Sequence, residues 1–234
     1  VLELRGIEVG LGDFRLEADF ALQKGALAAV LGPSGSGKST LLNVIAGFLA
    51  PDRGSVLWEG RDLTPLPPGA RPVSVIFQDQ NLFPHLTAAE NVGLALRPRL
   101  RLAAAERRQV EEALARVGLA GLGGRRPAEL SGGQQSRVAL ARMLLQARPV
   151  VLLDEAFAAL GPALRAEMLD LVAALVRETR ATLLMVSHDP ADARSVASEV
   201  LFVDAGRVAP PVPAEEFFAA PPAAFARYAG RPSA

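Results

Sequence analysis

Near the start of the chain apolar side chains fall on every second position: Phe14, Leu16, Ala18 and Phe20 alternate with polar or charged neighbours. That is the period of strands with one buried face, so residues 1 to about 31 are expected to form short antiparallel strands. Gln23-Lys24-Gly25 reads as a turn, and 26-ALAAVL-31 is apolar at every position, the pattern of a strand buried on both faces. The period then changes. Between Thr40 and Leu49, Leu41, Leu42, Ile45 and Phe48 recur at helical spacing, and Pro51-Asp52-Arg53-Gly54 closes the helix in a turn. Two further strands, 55-SVLWEG-60 and 73-VSVIF-77, flank the proline-rich loop 65-PLPPG-69.

From Leu86 to about Gln146 the chain is rich in Ala, Arg and Leu and reads as helices broken at Pro98, at 121-GLGG-124 and at 131-SGG-133. Strands resume at 149-PVVLLD-154, 182-TLLMVS-187 and, last, 200-VLFV-203, with a helix from Leu164 to Arg177. Strand–helix–strand alternation implies a parallel sheet with helical crossovers. The expected fold is therefore α/β: a mostly parallel core sheet, an antiparallel β part at the N-terminal end, and a helical insertion over residues 86 to 146. One domain over 1–234 suits this length. The tail from Pro210 to Ala234, rich in Pro and Ala, is expected to hold a short helix at 214-AEEFFAA-220 and is assigned no chemistry.

Half of the 234 residues are hydrophobic and 21% are charged, which describes a folded globular protein. There is no cysteine, so disulfides, zinc ribbons and thiol nucleophiles are excluded. Lys plus Arg and Asp plus Glu both number 25, which argues against a broadly basic nucleic-acid surface. No apolar run approaches the roughly 18 residues of a membrane span, and the N-terminal stretch lacks the pattern of a secretory signal. A cytoplasmic location is expected. The basic residues are arginine except for Lys24 and Lys38, so Lys38 stands where arginine was the common choice.

Lys38 lies in 32-GPSGSGKST-40, which satisfies G-x-x-x-x-G-K-[ST] between an apolar strand and an amphipathic helix. Gly32, Gly35 and Gly37 let the backbone turn its amides inward, and Pro33, Ser34, Ser36 and Thr40 complete the cradle. The helix N-terminus adds its positive end. Lys38 can reach β- and γ-phosphates as a flexible point charge, and Ser39 can place its hydroxyl on Mg²⁺. A plain glycine turn before a helix would need none of these together.

A P-loop needs a carboxylate from a neighbouring strand end, and 150-VVLLDE-155 supplies two acids after four apolar residues. Asp154 is read as the metal-side group and Glu155 as the base that orients and deprotonates water. His188, in 186-VSHD-189, closes the next strand in order, so a parallel sheet brings it to the edge that carries Asp154.

The stretch 130-LSGGQQSRVALAR-142 resembles the signature of ATP-binding cassette (ABC) ATPases. With it the P-loop, Gln78, 150-VVLLDE-155 and His188 fall into that family's order. Ser131, Gly132, Gly133 and Gln134, before a helix with Val138, Ala141 and Leu145 on one face, form a second anion-binding N-terminus. The resemblance implies that two identical subunits pair, the signature of one covering the γ-phosphate held by the P-loop of the other. It also implies that Gln78 contributes to the metal and nucleotide site and joins it to the surface that meets the membrane subunits. Residues 81-NLFPHLT-87 are then the seat for a permease, with His85 at that interface rather than on a metal. Segments 41-LLNVIAGFL-49, 72-PVSVIFQDQNLFPHLTAAENVGLAL-96 and 182-TLLMVSHD-189 are most similar to the ATPase subunits of bacterial thiamine importers. ATPases of polyamine, sulfate and iron importers share part of that likeness. The implied protein works on the cytoplasmic side of the inner membrane, with Mg²⁺ and ATP, a permease and, indirectly, a solute-binding protein.

Three positions depart from the family pattern. Ala156 stands where proline is usual, 158-AALG-161 replaces Ser-Ala-Leu-Asp, and Leu11 aligns with the aromatic residue that stacks on adenine, with Phe14 as a nearby substitute. Loss of the aspartate at Gly161 removes an expected contact across the dimer. Other readings fit less well. Soluble ABC ATPases of DNA repair or translation carry tandem cassettes, coiled coils or zinc sites, and GTPases carry an Asn-Lys-x-Asp motif; neither is here. A binding module without turnover conflicts with intact Lys38, Asp154, Glu155 and His188.

Overall fold

The computed structural model describes residues 1–78 and 82–229. The alternation near the N-terminus produces β1 (Leu2–Leu11) and β2 (Phe14–Leu22), an antiparallel pair in which Leu16, Ala18, Phe20 and Leu22 face inward. β3 (Leu27–Leu31) is buried at every residue and runs into the P-loop. α1 (Lys38–Ala46) follows, then β4 (Arg53–Trp58), the short β5 (Arg61–Asp62) and β6 (Val73–Phe77).

Helix α1 ends earlier than its apolar spacing predicts. Gly47 takes a left-handed conformation and turns its amide back on Asn43 and Val44, so Phe48 leaves the helix and lies 57% exposed, its ring 5.8 Å from that of Phe77. The buried guanidinium of Arg71 supports this end by donating to the carbonyls of Val44, Ile45, Thr64 and Leu66 at 2.7–3.0 Å.

Next come α2 (Ala88–Gly93), α3 (Ala104–Arg116) and α4 (Gly132–Gln146), which pack on one another. Residues 131–133 separate the helices and start α4, as the sequence leads one to expect, with Ser131 and Gln134 forming a capping box at its N-terminus. β7 (Val150–Asp154), α5 (Pro162–Thr179), β8 (Thr182–Val186), α6 (Pro190–Val196) and β9 (Glu199–Asp204) complete the crossover pattern.

The strand at 200–203 is not the last. β10 (Arg207–Val208) turns back on β9 and also pairs parallel with β2, joining the antiparallel strands to the core, and β11 (Val212–Pro213) pairs with β9. The tail continues in α7 (Ala214–Ala219) and α8 (Ala223–Ala229). Phe217 and Phe225 anchor it beside Phe202.

Among the described residues the sheet runs β5-β4-β1-β2-β10-β9-β3-β8-β7-β6, and its β9-β3-β8-β7-β6 portion is parallel throughout. One apolar cluster lies between the parallel sheet and α2 to α5, another between the two parts of the sheet and α1. The carboxyl ends of β3, β8, β7 and β6 therefore form one edge. It carries the P-loop, His188, Asp154 with Glu155, and Gln78.

Candidate nucleotide site

The loop from Gly32 to Gly37 is held on three sides. Gly32 has φ 152°, and a Cβ there would sit 2.0 Å from the carbonyl of Val203 on β9, so only glycine fits against that strand. The Ser36 carbonyl accepts from Gly206 N–H at 3.0 Å. The ring of Phe14 lies under Gly37, close enough that a Cβ on Gly37 would be 2.8 Å from Cζ. Phe14 thus packs on the P-loop backbone, and Leu11, 46% exposed, is the apolar group left at that edge.

Lys38 is the first residue of α1 and is buried, with Nζ donating to the carbonyls of Gly32 and Pro33 at 2.8 Å each. Burial pulls its pKa below the usual lysine value, while the charges of Glu155 and Asp154 act in the opposite direction. The amides of the first turn have no intrahelical acceptor, and no side chain caps them. Ser36 Oγ is buried without a partner, a costly arrangement that an incoming anionic oxygen relieves. Ser34 and Gly35 are exposed at the loop tip, and Thr40 is half-buried.

Asp154 comes from β7, which is not the neighbour of β3; β8 lies between them. α1 makes up the distance by packing across the sheet on β6 and β7, which sets Ser39 Oγ 3.1 Å from Asp154 Oδ1. Burial raises the pKa of Asp154, the Ser39 hydrogen bond opposes this, nearby Glu155 raises it further and Lys38 lowers it. Glu155 adopts φ 49°, an unusual backbone for a residue with a side chain, and its carboxylate lies 3.7 Å from His188 Nδ1. Register explains the meeting, because Asp154 pairs with Val186, so the residues just past each strand emerge side by side. Gln78 follows Phe77, which pairs with Asp154, and is exposed at the same edge.

Ser39 and Asp154 offer hard oxygen donors at bonding range of each other, the chemistry that suits Mg²⁺ shared with phosphate oxygens. Among the described residues no group of three or more His, Asp or Glu side chains could hold a metal alone.

Residues 131–134 are placed differently. Their polar contacts are local: Ser131 N–H donates to Gln134 Oε1 at 2.9 Å, and Gln134 N–H donates to Ser131 Oγ at 3.3 Å. Gly132 and Gly133 lie against Leu160 and Leu164, so the start of α4 abuts the start of α5. Gly161 caps α5 without a side-chain bond, and Ala156 is buried. Of the segment 81–87, Asn81 lies outside the described residues, as do the neighbouring positions 79 and 80. From Leu82 onward the loop is organised by fully buried Asn91, which accepts from Phe83 N–H and donates to the carbonyls of Phe83, Leu86 and Thr87 at 3.0–3.2 Å. Phe83, 47% exposed, makes an edge contact with His85. Phe83 also borders a groove of about 330 Å³ with Phe48, Phe77, Leu94 and Met143.

Sequence reading missed Gly206, Asn91, Arg71 and Arg165. Gly206 had a signal, Ala-Gly between two apolar runs, which reads as a hairpin. The other three had none, since a polar residue inside a helix or loop shows its partners only after folding.

A phosphate cradle at the carboxyl edge of a mostly parallel sheet, faced by Ser39, Asp154, Glu155 and His188, defines a P-loop nucleotide-binding protein. A family profile described as "ABC transporter" matches residues 16–158, and the chain belongs to that family. Over 230 residues it is 59% identical to the thiamine import ATP-binding protein ThiQ of Cereibacter sphaeroides, covering 98% of this chain and all of the relative. It is 54% identical to the ThiQ of a Ruegeria species over the same share of each. Among solved structures, the dimeric ATP-binding cassette MJ0796 matches with TM-score 0.78 and 30% identity over 92% of this chain and 99% of that one. The same cassette in a post-hydrolysis state bound to ADP and Pi matches with TM-score 0.76.

Proposed function

We propose that this protein is the ATP-hydrolysing subunit of an ABC importer whose solute is thiamine. One observation carries the proposal, the end-to-end likeness to thiamine import ATP-binding proteins at 59% and 54% identity. The site supplies the chemistry. Gly32 to Thr40 wrap the β- and γ-phosphates with amides and the Lys38 ammonium, and Ser39, Asp154 and Gln78 are the groups that would hold Mg²⁺. Bound there, the cation supplies neutralising charge to the phosphate oxygens. Glu155 accepts the proton of a water whose oxygen bonds to the γ-phosphorus as the bridging bond to the β-phosphate breaks and ADP leaves with that electron pair. His188, 3.7 Å from Glu155, orients the carboxylate and the water.

In this reading residues 1–234 form one ATP-binding domain with the helical part 86–146 inserted in it. Two copies pair isologously, and Ser131 to Gln134 of the partner subunit complete each nucleotide site. The groove beside Phe83 seats a membrane permease, which receives thiamine from a solute-binding protein. The likeness to import ATP-binding proteins supports peripheral attachment on the cytoplasmic side, and no described helix is long and apolar enough to cross a membrane.

The test is uptake of labelled thiamine by a strain lacking this gene. Wild type restores it and Glu155→Gln does not, with hydrolysis lowered by about 10²–10⁴-fold. Uptake of a polyamine, sulfate or iron instead would move the assignment to a related importer. Equal hydrolysis by the two proteins would remove Glu155 from its role. Mg-ATP should also drive Glu155→Gln to dimerise with its permease present, and a persistent monomer would refute the shared site.

A further inference from the structure

We propose that Arg165 is a positioning residue that holds His188 against Glu155 from behind, acting through Ser187 and Asp192. The inference rests on the assignment of Glu155 and His188 to water attack and names what keeps the two in register.

Glu155 and His188 sit on loops, residues 155–161 after β7 and 187–189 after β8, and strand pairing stops at Asp154 and Val186. Register and a last bond from Glu155 N–H to the Val186 carbonyl at 3.3 Å set the two residues side by side, but the ladder does not hold the loop that carries the His188 side chain. Arg165 lies in the first turn of α5, where its amide bonds to the Gly161 carbonyl at 2.9 Å, so it moves with the loop that begins at Glu155. Its Nη2 donates to Asp192 Oδ2 of α6 and, at 3.3 Å, to Ser187 Oγ, and its Nη1 lies 3.7 Å from Asp189 Oδ2. Ser187 Oγ in turn donates to Asp192 Oδ2 at 2.6 Å and accepts from Asp189 N–H at 3.0 Å. Ser187 and Asp189 flank His188. The guanidinium therefore clamps both backbone neighbours of the histidine to the helix that carries the Glu155 loop.

Glu155, His188, Arg165, Ser187 and Asp192 line one small cavity of about 10 Å³, so the clamp and the reacting pair are contiguous. The Arg165 and Asp192 side chains are only 15% and 12% exposed. A buried ion pair is a poor way to gain stability, because apolar residues of similar volume do as well. Its planar fork is a good way to hold two loops in one geometry. It also stands one turn from Gly161, where the loop has no side chain to serve as an anchor.

The test uses the full chain assembled with its permease and compares wild type with Arg165→Met, Asp192→Asn, the double variant and Arg165→Lys. For Arg165→Met and Asp192→Asn, kcat per folded molecule should fall about 10- to 100-fold, the cost of misplacing a reacting group by about 1 Å, with KM for Mg-ATP within about twofold. The double variant should be no slower than the worse single one, since the groups act as a unit. Arg165→Lys should fall between wild type and Arg165→Met, because an ammonium still reaches Asp192 but lacks the fork that also holds Ser187 and faces Asp189. A purely structural pair would lower the unfolding midpoint and leave kcat and KM per folded molecule unchanged, and that result overturns the proposal. So does a double-variant loss equal to the product of the singles. Should Arg165→Met not fold, Asp192→Asn and Arg165→Lys give the same decision. Glu155→Gln run alongside separates the two levels. Full hydrolysis there removes the underlying assignment, whereas an inactive Glu155→Gln beside a fully active Arg165→Met removes only this clamp.

Discussion

Ser39 Oγ lies 3.1 Å from Asp154 Oδ1, although β8 separates the strands that carry their loops. The bond marks where the P-loop helix crosses over the end of β7, and it sets two oxygens where one cation can take both. The energetic consequence is a conflict. Asp154 is half-buried next to Glu155, and desolvation followed by that like charge outweighs Ser39 and Lys38 and raises its pKa. A carboxyl whose folded pKa is raised binds its proton more tightly in the native state, so its ionised form opposes folding above that pKa and the penalty disappears as pH falls. Asp154→Asn should therefore raise the thermal midpoint in metal-free buffer at pH 7, with little gain at acid pH. Mg-dependent hydrolysis should fall by at least about a hundredfold in the same protein. A lower midpoint for the variant at pH 7 would contradict the burial argument.

Gly206 ties three parts of the molecule together. Its N–H donates to the Ser36 carbonyl at 3.0 Å and its carbonyl accepts from Glu17 N–H at 2.8 Å. With φ 80°, an added Cβ would fall 1.8 Å from the Arg15 carbonyl. Gly206→Ala should cost about 3 kcal/mol or more, since left-handed strain and a backbone overlap act together. Urea unfolding measures that loss. Nucleotide affinity of the remaining folded protein should also drop, because the hairpin supports one wall of the P-loop.

At the edge of the site Leu11 is exposed while Phe14 is occupied under Gly37. With Leu11 rather than an aromatic side chain at that position, phosphate contacts should dominate binding, and wild type should hydrolyse GTP within several-fold of ATP. Leu11→Tyr should tighten both nucleotides by about 1–3 kcal/mol, since stacking tolerates any base. A strong preference of wild type for ATP in direct competition would show that the base is read by other groups.

The strand and helix periods, the P-loop, the acidic pair and the histidine were legible because each depends on near neighbours. Helical spacing puts Phe48 on the buried face of the helix because it does not reveal that Gly47 caps α1 after Ala46. β10 and β11 were missed because strands of two residues carry no period and exist only through their partners on β2 and β9.

Residue order alone determined which chemical groups this protein has and which loops bear them: a cradle of glycines with one lysine, two acids after an apolar strand, and a histidine after the next. Tertiary structure decided which of them meet. Register past β7 and β8 set Glu155 beside His188, the path of α1 carried Ser39 over an intervening strand to Asp154, and Phe14 went beneath Gly37. The physical reason is that local sequence specifies backbone conformation, whereas distances between loops far apart in the chain are set by strand pairing and by packing, which no single segment contains.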